Sequence, residues 1–158
     1  MGSPLLQTPV NVTYSFKDLV GKLQNPAIGT GFTIVGGNIG NGTITIRMLT
    51  DRTEMETAAD GTVMPTYIPG QSAEITIEMQ QTSALHHALV SLFNTLATAA
   101  NDGDISNWAG TVLNLRTVLD GSGHLASGVG LRKIADKTYA SKGQNVTWSF
   151  MCASCVQQ

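Results

Sequence analysis

Charge is scarce in this chain. Asp, Glu, Lys and Arg make up 13% of its 158 residues, about half the usual share of a soluble globular domain. A free monomer relies on surface charge for solubility, so the shortage points to a subunit with much of its surface in contacts. The net charge of −2 supplies no basic footprint for gripping nucleic acid. No apolar run approaches the ~20 residues of a membrane-spanning helix. The opening MGSPLLQTPV lacks the basic and apolar regions of a signal peptide. Leu6 also stands where N-myristoylation wants Ser or Thr. Synthesis and folding in a cytosol are therefore expected.

Catalytic and metal signatures are equally thin. No Gly-x-Ser-x-Gly elbow occurs. His86 and His87 are adjacent, so on a helix they point ~100° apart, unlike the i, i+4 pair that shares a metal. The glycine-rich GGNIGNG at 36–42 precedes a strand, and the helix N-terminus that would hold a phosphate is missing. Asp102 and Asp104 meet Glu54 and Glu56 only if the fold brings them together. The sequons at Asn11, Asn41 and Asn145 need a secretory route that the N-terminus does not offer. The reading is of a non-enzymatic protein with no cofactor and no metal.

What the chain has is alternation. TITIRM (43–48) sets Ile44, Ile46 and Met48 against Thr43, Thr45 and Arg47, and SAEITIEM (72–79) sets Ile75, Ile77 and Met79 against Glu74, Thr76 and Glu78. Both are strands with one face toward a core. NVTYSF (11–16) reads as a strand, with KDLVGKLQ continuing it after a bend and FTIV a short strand within a glycine-rich loop. Ser83 caps a helix over about 83–100, where Leu85, Leu89, Leu92, Phe93 and Leu96 form one apolar stripe. Strands follow at 111–120, near 128–137 and near 144–152, the last alternating Val146, Trp148 and Phe150 with Thr147, Ser149 and Met151. No repeat or linker divides the chain, so 1–158 is expected to be a single, mainly β domain flanked by one helix.

Several stretches in order resemble the tail tube proteins of contractile-tailed bacteriophages, and in particular a family long described only as phage structural protein. They are Asp51 to Met55, the ADGTVM loop at 59–64, Gly70 to Ile77, the helix start at Thr82-Ser83, and the terminal GQNVTWSF at 143–150. The likeness runs from about Thr13 to Phe150 and is weakest over 27–41 and 100–125. It implies a β-sandwich or barrel-like fold with a flanking helix, assembled as six-fold rings stacked into a hollow conduit for a genome. It also implies a virion tail location and homo-oligomer contacts, with no membrane. The implied partners are a surrounding sheath, baseplate and tail terminator proteins, and a tape measure protein and then DNA in the lumen. Pairing sheet edges round a ring would remove the open edges of a lone sheet.

Three sets of residues become candidates. The stretch 51–69 joins two strands by far more residues than a tight hairpin needs. The resemblance implies a loop that reaches neighbouring subunits and rings, through Met55, Val63, Met64, Tyr67 and Ile68. If the strands 43–48 and 72–79 line the bore, Thr43, Thr45, Arg47, Glu74, Thr76 and Glu78 face the channel, where carboxylates repel phosphate. In CASC at the C-terminus, Cys152 and Cys155 lack the second pair that zinc wants. Extended, their Cα atoms lie ~10 Å apart on opposite faces, beyond the reach of an internal disulfide. Free thiols and cross-links to neighbouring subunits are the alternatives. The tube of an injection machine without a phage, another virion structural protein, and a carbohydrate-binding β-sandwich also stay open. A lectin usually shows exposed aromatics, and only Trp108 falls in a clear loop.

Overall fold

The computed structural model describes residues 14–27, 31–35, 42–118 and 121–157. After a 3-10 turn at Phe16–Asp18 the elements run β1 (Leu19–Gln24), β2 (Phe32–Val35), β3 (Thr43–Met48), β4 (Thr53–Thr57), β5 (Val63–Tyr67) and β6 (Ala73–Gln80). They continue with α1 (Ala84–Asn101), β7 (Thr111–Thr117), β8 (Gly123–Leu131) and β9 (Asn145–Gln157). Seven strands make one sheet in the order β2-β1-β7-β8-β9-β6-β3, and β4 and β5 form a separate two-stranded sheet. Every neighbouring pair is antiparallel. The large sheet curls into a half-barrel.

Alternation decides its two faces. In β6, Ala73, Ile75, Ile77 and Met79 are buried, while Glu74, Thr76 and Glu78 stand on the other side. β9 matches it register for register, with Ile75 opposite Phe150 and Ile77 opposite Trp148, all four fully buried. Leu23, Ile34, Leu113, Leu115, Ala126 and Val129 carry the apolar face across the remaining strands. Helix α1 covers this face with Leu85, Leu89, Leu92 and Leu96, and Phe93 packs half-buried against the same core. Ser83 caps it as expected, its Oγ accepting a hydrogen bond from the Leu85 N–H at 3.2 Å.

Some boundaries differ from the sequence reading. Of the strand expected at 11–16, residues 11–13 lie outside the described residues, and Phe16 belongs to the 3-10 turn. The Asp18 N–H there bonds the Ser15 carbonyl, so the first strand begins at Leu19. The glycine-rich residues 36–41 are also outside the described set. The strand expected near 128–137 runs instead from Gly123 to Leu131. The Thr117 N–H bonds the Ser122 carbonyl and brings β8 in early, and beyond Leu131 the charged run Arg132, Lys133, Asp136, Lys137 no longer alternates. The last strand extends to Gln157.

That extension settles where the cysteines lie. Gly128 adopts a left-handed φ of 62°, and the β7–β8 register slips by one between Thr111 and Leu113. This is a β-bulge, and glycine takes its backbone angle at no steric cost. The alternation changes phase there in both β8 and β9, so residues three apart share a face. Ala126 and Val129 are both buried, and so are Cys152 and Cys155 opposite them, at 4% and 2% exposure. The cysteines thus occupy the same side of an extended strand, not opposite sides. They are free thiols. Burial, and then the neighbouring Cys155, push the Cys152 thiol up to about 11, and burial also raises Cys155. Neither sulfur is presented at the surface of the chain to a neighbour.

His86, 3% exposed, ties helix to sheet. The Trp148 indole N–H donates to its Nδ1 at 3.0 Å. An indole only donates, so this nitrogen carries no proton in the folded protein. Burial, then the charges of Lys137 and His87, hold the His86 pKa below its ordinary value. Burial lowers His124 in the same sense, more than its bond to Gln157 raises it. As pH falls through about 6.5, the unfolded chain takes up protons that the folded chain refuses. The stabilisation is complete above that pH and is lost as pH drops toward the folded values. The thermal midpoint should therefore fall between about pH 7 and pH 5, with His86→Gln showing a shallower fall. Identical pH slopes in the two proteins would refute the assignment.

Candidate functional site

Two features stand outside the core. The first is the segment expected as a loop, which is a β-hairpin arm. Thr53 pairs with Tyr67, Met55 with Pro65 and Thr57 with Val63. At its tip the Ala58 N–H bonds the Thr62 carbonyl, the Gly61 N–H bonds the Ala58 carbonyl, and Gly61 takes a φ of 89°. The Thr62 N–H donates to Asp60 Oδ1 at 2.9 Å, which holds that carboxyl below its usual pKa. At the base the Arg52 guanidinium bonds the Ile68 carbonyl at 2.9 Å and the Tyr67 hydroxyl at 2.8 Å, and it lies over the Tyr67 ring. The Leu49 N–H and the Ser72 carbonyl join the arm to the β3–β6 pair.

Every residue of β4 and β5 is exposed. Met55 is 65% exposed, Met64 57% and Tyr67 70%, values a lone soluble domain rarely shows for a cluster. Ile68 is half-buried at the base. Alternation gives one arm face Met55, Val63, Pro65 and Tyr67, and the other Glu54, Glu56, Met64 and Thr66. The sequence reading missed the hairpin itself. Its signal was present in TEMET and VMPTY about a Gly-containing turn, with Pro65 inside the second run. In a two-stranded sheet both strands are edges, so the missing N–H of Pro65 can face outward.

The second feature is the polar sheet face. Thr43 lies opposite Glu78, Thr45 opposite Thr76 and Arg47 opposite Glu74. The rows continue through Thr147, Ser149 and Met151 of β9, so all six expected channel residues share one surface. Glu74 accepts from Arg47 at 3.5 Å and lies 3.9 Å from Arg132, and Glu78 accepts from Asn145 at 3.1 Å. Arg132, distant in sequence, was not foreseen. Lys22 and Arg116 stand on the same face farther round. Among the described strand residues and Arg132 the face therefore carries four cations and two carboxylates; it is mixed and not acidic.

The remaining candidates separate. Asp102 and Asp104 do not join Glu54 and Glu56, and among the described residues no group of three or more His, Cys, Asp or Glu side chains could hold a metal ion. His86 is a core residue. Trp108 packs edge-on against Phe93 with ring centroids 5.8 Å apart, half-buried, so it is not the open platform of a sugar site. Among the described residues no helix is long and apolar enough to cross a membrane.

The profile of a family described as bacteriophage PhiTE tail tube protein matches residues 11–157. The chain belongs to this tail tube family. It is a structural tail tube subunit. A comparison with curated proteins found no match. Among solved structures, a chain of an extracellular contractile injection system, the PVC sheath-tube complex in the extended state, has a TM-score of 0.58 at 10% identity, covering 100% of this chain and 99% of its own. A chain of the anti-feeding prophage baseplate, 6-fold symmetrised, gives 0.56 at 10% identity, with 94% and 96% covered. A chain from the tail of an empty GTA particle with C6 symmetry gives 0.51 at 15%, with 92% and 98% covered. At such identities these likenesses speak for the fold.

Proposed function

We propose that the tail tube protein closes into six-membered rings, that the rings stack into a hollow conduit, and that the polar sheet face lines the bore. The carrying observation is the division of one seven-stranded sheet into a helix-covered apolar face and a polar face that, among the described residues, no helix covers. A tube wall needs that division, with a packed interior on one side and a wet surface on the other. The six-fold symmetry of two structural relatives supports six subunits. Thr43, Thr45, Arg47, Glu74, Thr76 and Glu78 then face the channel, and α1 faces outward.

A conduit must not hold its cargo. Arginines alone would bind phosphate with release of counterions. Glu74 lies between Arg47 and Arg132 and competes for both, which lowers the hold of these two arginines on phosphate. The arm supplies contacts to neighbouring copies through Met55, Val63, Met64, Tyr67 and Ile68. Cys152 and Cys155 stay as thiols within each subunit. A sheath outside, terminator and baseplate proteins at the ends, and a tape measure protein followed by DNA inside are the partners of such a tube. The subunit is one domain, made in the host cytoplasm, and performs no catalysis. Negative-stain microscopy of the purified protein should show rings or tubes of uniform bore. A homogeneous monomer at every concentration would overturn the proposal.

A further inference from the structure

The arm needs a seat, and the opposite end of the same molecule offers one. One row of cross-strand partners runs Met48–Ala73–Cys152–Val129–Thr111. Four antiparallel steps separate β3 from β7, so these two strands run in the same direction across the row. The arm continues beyond the end of β3. The loop 102–110 comes before the start of β7, and therefore lies on the other side of the row. Ile105, Ser106, Trp108 and Ala109 of that loop, with Ala100 at the end of α1, surround an open, mainly apolar depression of about 380 Å³. Ile105 is 70% exposed at its edge.

The charges at the two ends are opposite. Residues 51–60 of the arm hold Asp51, Glu54, Glu56 and Asp60 against Arg52. The connection 132–144 leaves β8 on the side of the depression; beyond Arg132, which Glu74 engages on the sheet face, it holds Lys133, Lys137 and Lys142 against Asp136. The loop 102–110 also carries two carboxylates, Asp102 and Asp104, and Asp104 is engaged by the Ser106 hydroxyl at 2.6 Å and by its N–H.

Resting on the tube assembly proposed above, we infer that the depression at Ile105, Trp108 and Ala109 receives the arm of a second copy of this chain. The apolar arm face, led by Met55 and Val63, fills the depression, and Glu54 and Glu56 face the basic connection. A seat and an arm on opposite ends make a heterologous contact, which repeats from copy to copy without being used up. Apolar area holds the joint, and charge sets which end meets which.

Cysteine pairing tests the contact, since the native cysteines are buried. Met55→Cys and Ile105→Cys proteins are purified separately, mixed, assembled and oxidised. Mixed tubes should yield a disulfide-linked dimer that neither protein gives alone. Tubes that form without it overturn the seat while leaving the tube intact, whereas tubes from an armless chain would overturn the arm's role. Because either variant could fail to assemble, the wild-type chain is also oxidatively footprinted. Met55, moved from water into a packed interface, should lose at least about tenfold in reactivity on assembly, and half-buried Trp108 should lose at least about twofold as its remaining open side is covered. Unchanged Trp108 reactivity in assembled wild-type protein refutes the seat.

Discussion

A chain lacking residues 57–66 folds but does not form tubes. Folding survives because every residue removed is exposed and none belongs to the core cluster. The arm forms its own two-stranded sheet, and the large sheet keeps all its pairings. Assembly fails because the deletion removes Val63, Met64 and Pro65 and breaks up the face built with Met55 and Tyr67. Each large apolar side chain buried in a contact is worth about 1.5–3 kcal/mol, and association must first offset several kcal/mol of lost freedom. Losing three such contacts at every subunit leaves too little. Circular dichroism and thermal melting should match the intact protein, while sedimentation and microscopy show only small species. Long tubes from the shortened chain would show that the arm is dispensable.

Replacing Glu74 and Glu78 together by lysine should leave assembly intact and slow genome delivery roughly tenfold or more, by the steep dependence of phosphate binding on the number of cationic contacts. Each subunit would lose two carboxylates and gain two cations on the bore, and Arg47 and Arg132 would lose the group that occupies them. Glu74 and Glu78 are half-buried on the solvent face, and their polar partners are exposed arginines and Asn145, so the fold should tolerate the change. Particles carrying the double substitution should adsorb normally and eject DNA slowly, with recovery at higher salt. Normal ejection kinetics, or a tube structure with both glutamates on its outside, would remove these residues from the channel.

Much of this architecture was legible in the sequence because alternation and helical stripe are local signals. TITIRM and SAEITIEM declared both their faces, and Ser83 with the leucine stripe declared α1. What remained hidden was relational. That Thr43, Thr45 and Arg47 stand directly across from Glu78, Thr76 and Glu74 follows from register, which no single strand states. Arg132 reaches Glu74 only because β8 and β9 bring it there. The two cysteines share a face because of a bulge at Gly128, in a different strand, so reading β9 alone gave the wrong side. The arm, read as a loop over 51–69, is a hairpin whose second strand contains a proline.

The position of β9 also bears on how the subunit is made. This strand lies between β8 and β6 yet comes last in the chain order, and β6 waits for it across 64 intervening residues, from Gln80 to Asn145. Such distant pairings are slow to form, while a hairpin such as the arm closes quickly. During synthesis the arm can therefore take shape well before the ribosome releases the strand that completes the wall. A chain broken off before residue 145 has no continuous sheet to offer, so an interrupted copy cannot take a place in a growing tube and block it. Placing β9 in the middle of the wall makes synthesis through residue 157 a condition for joining the assembly.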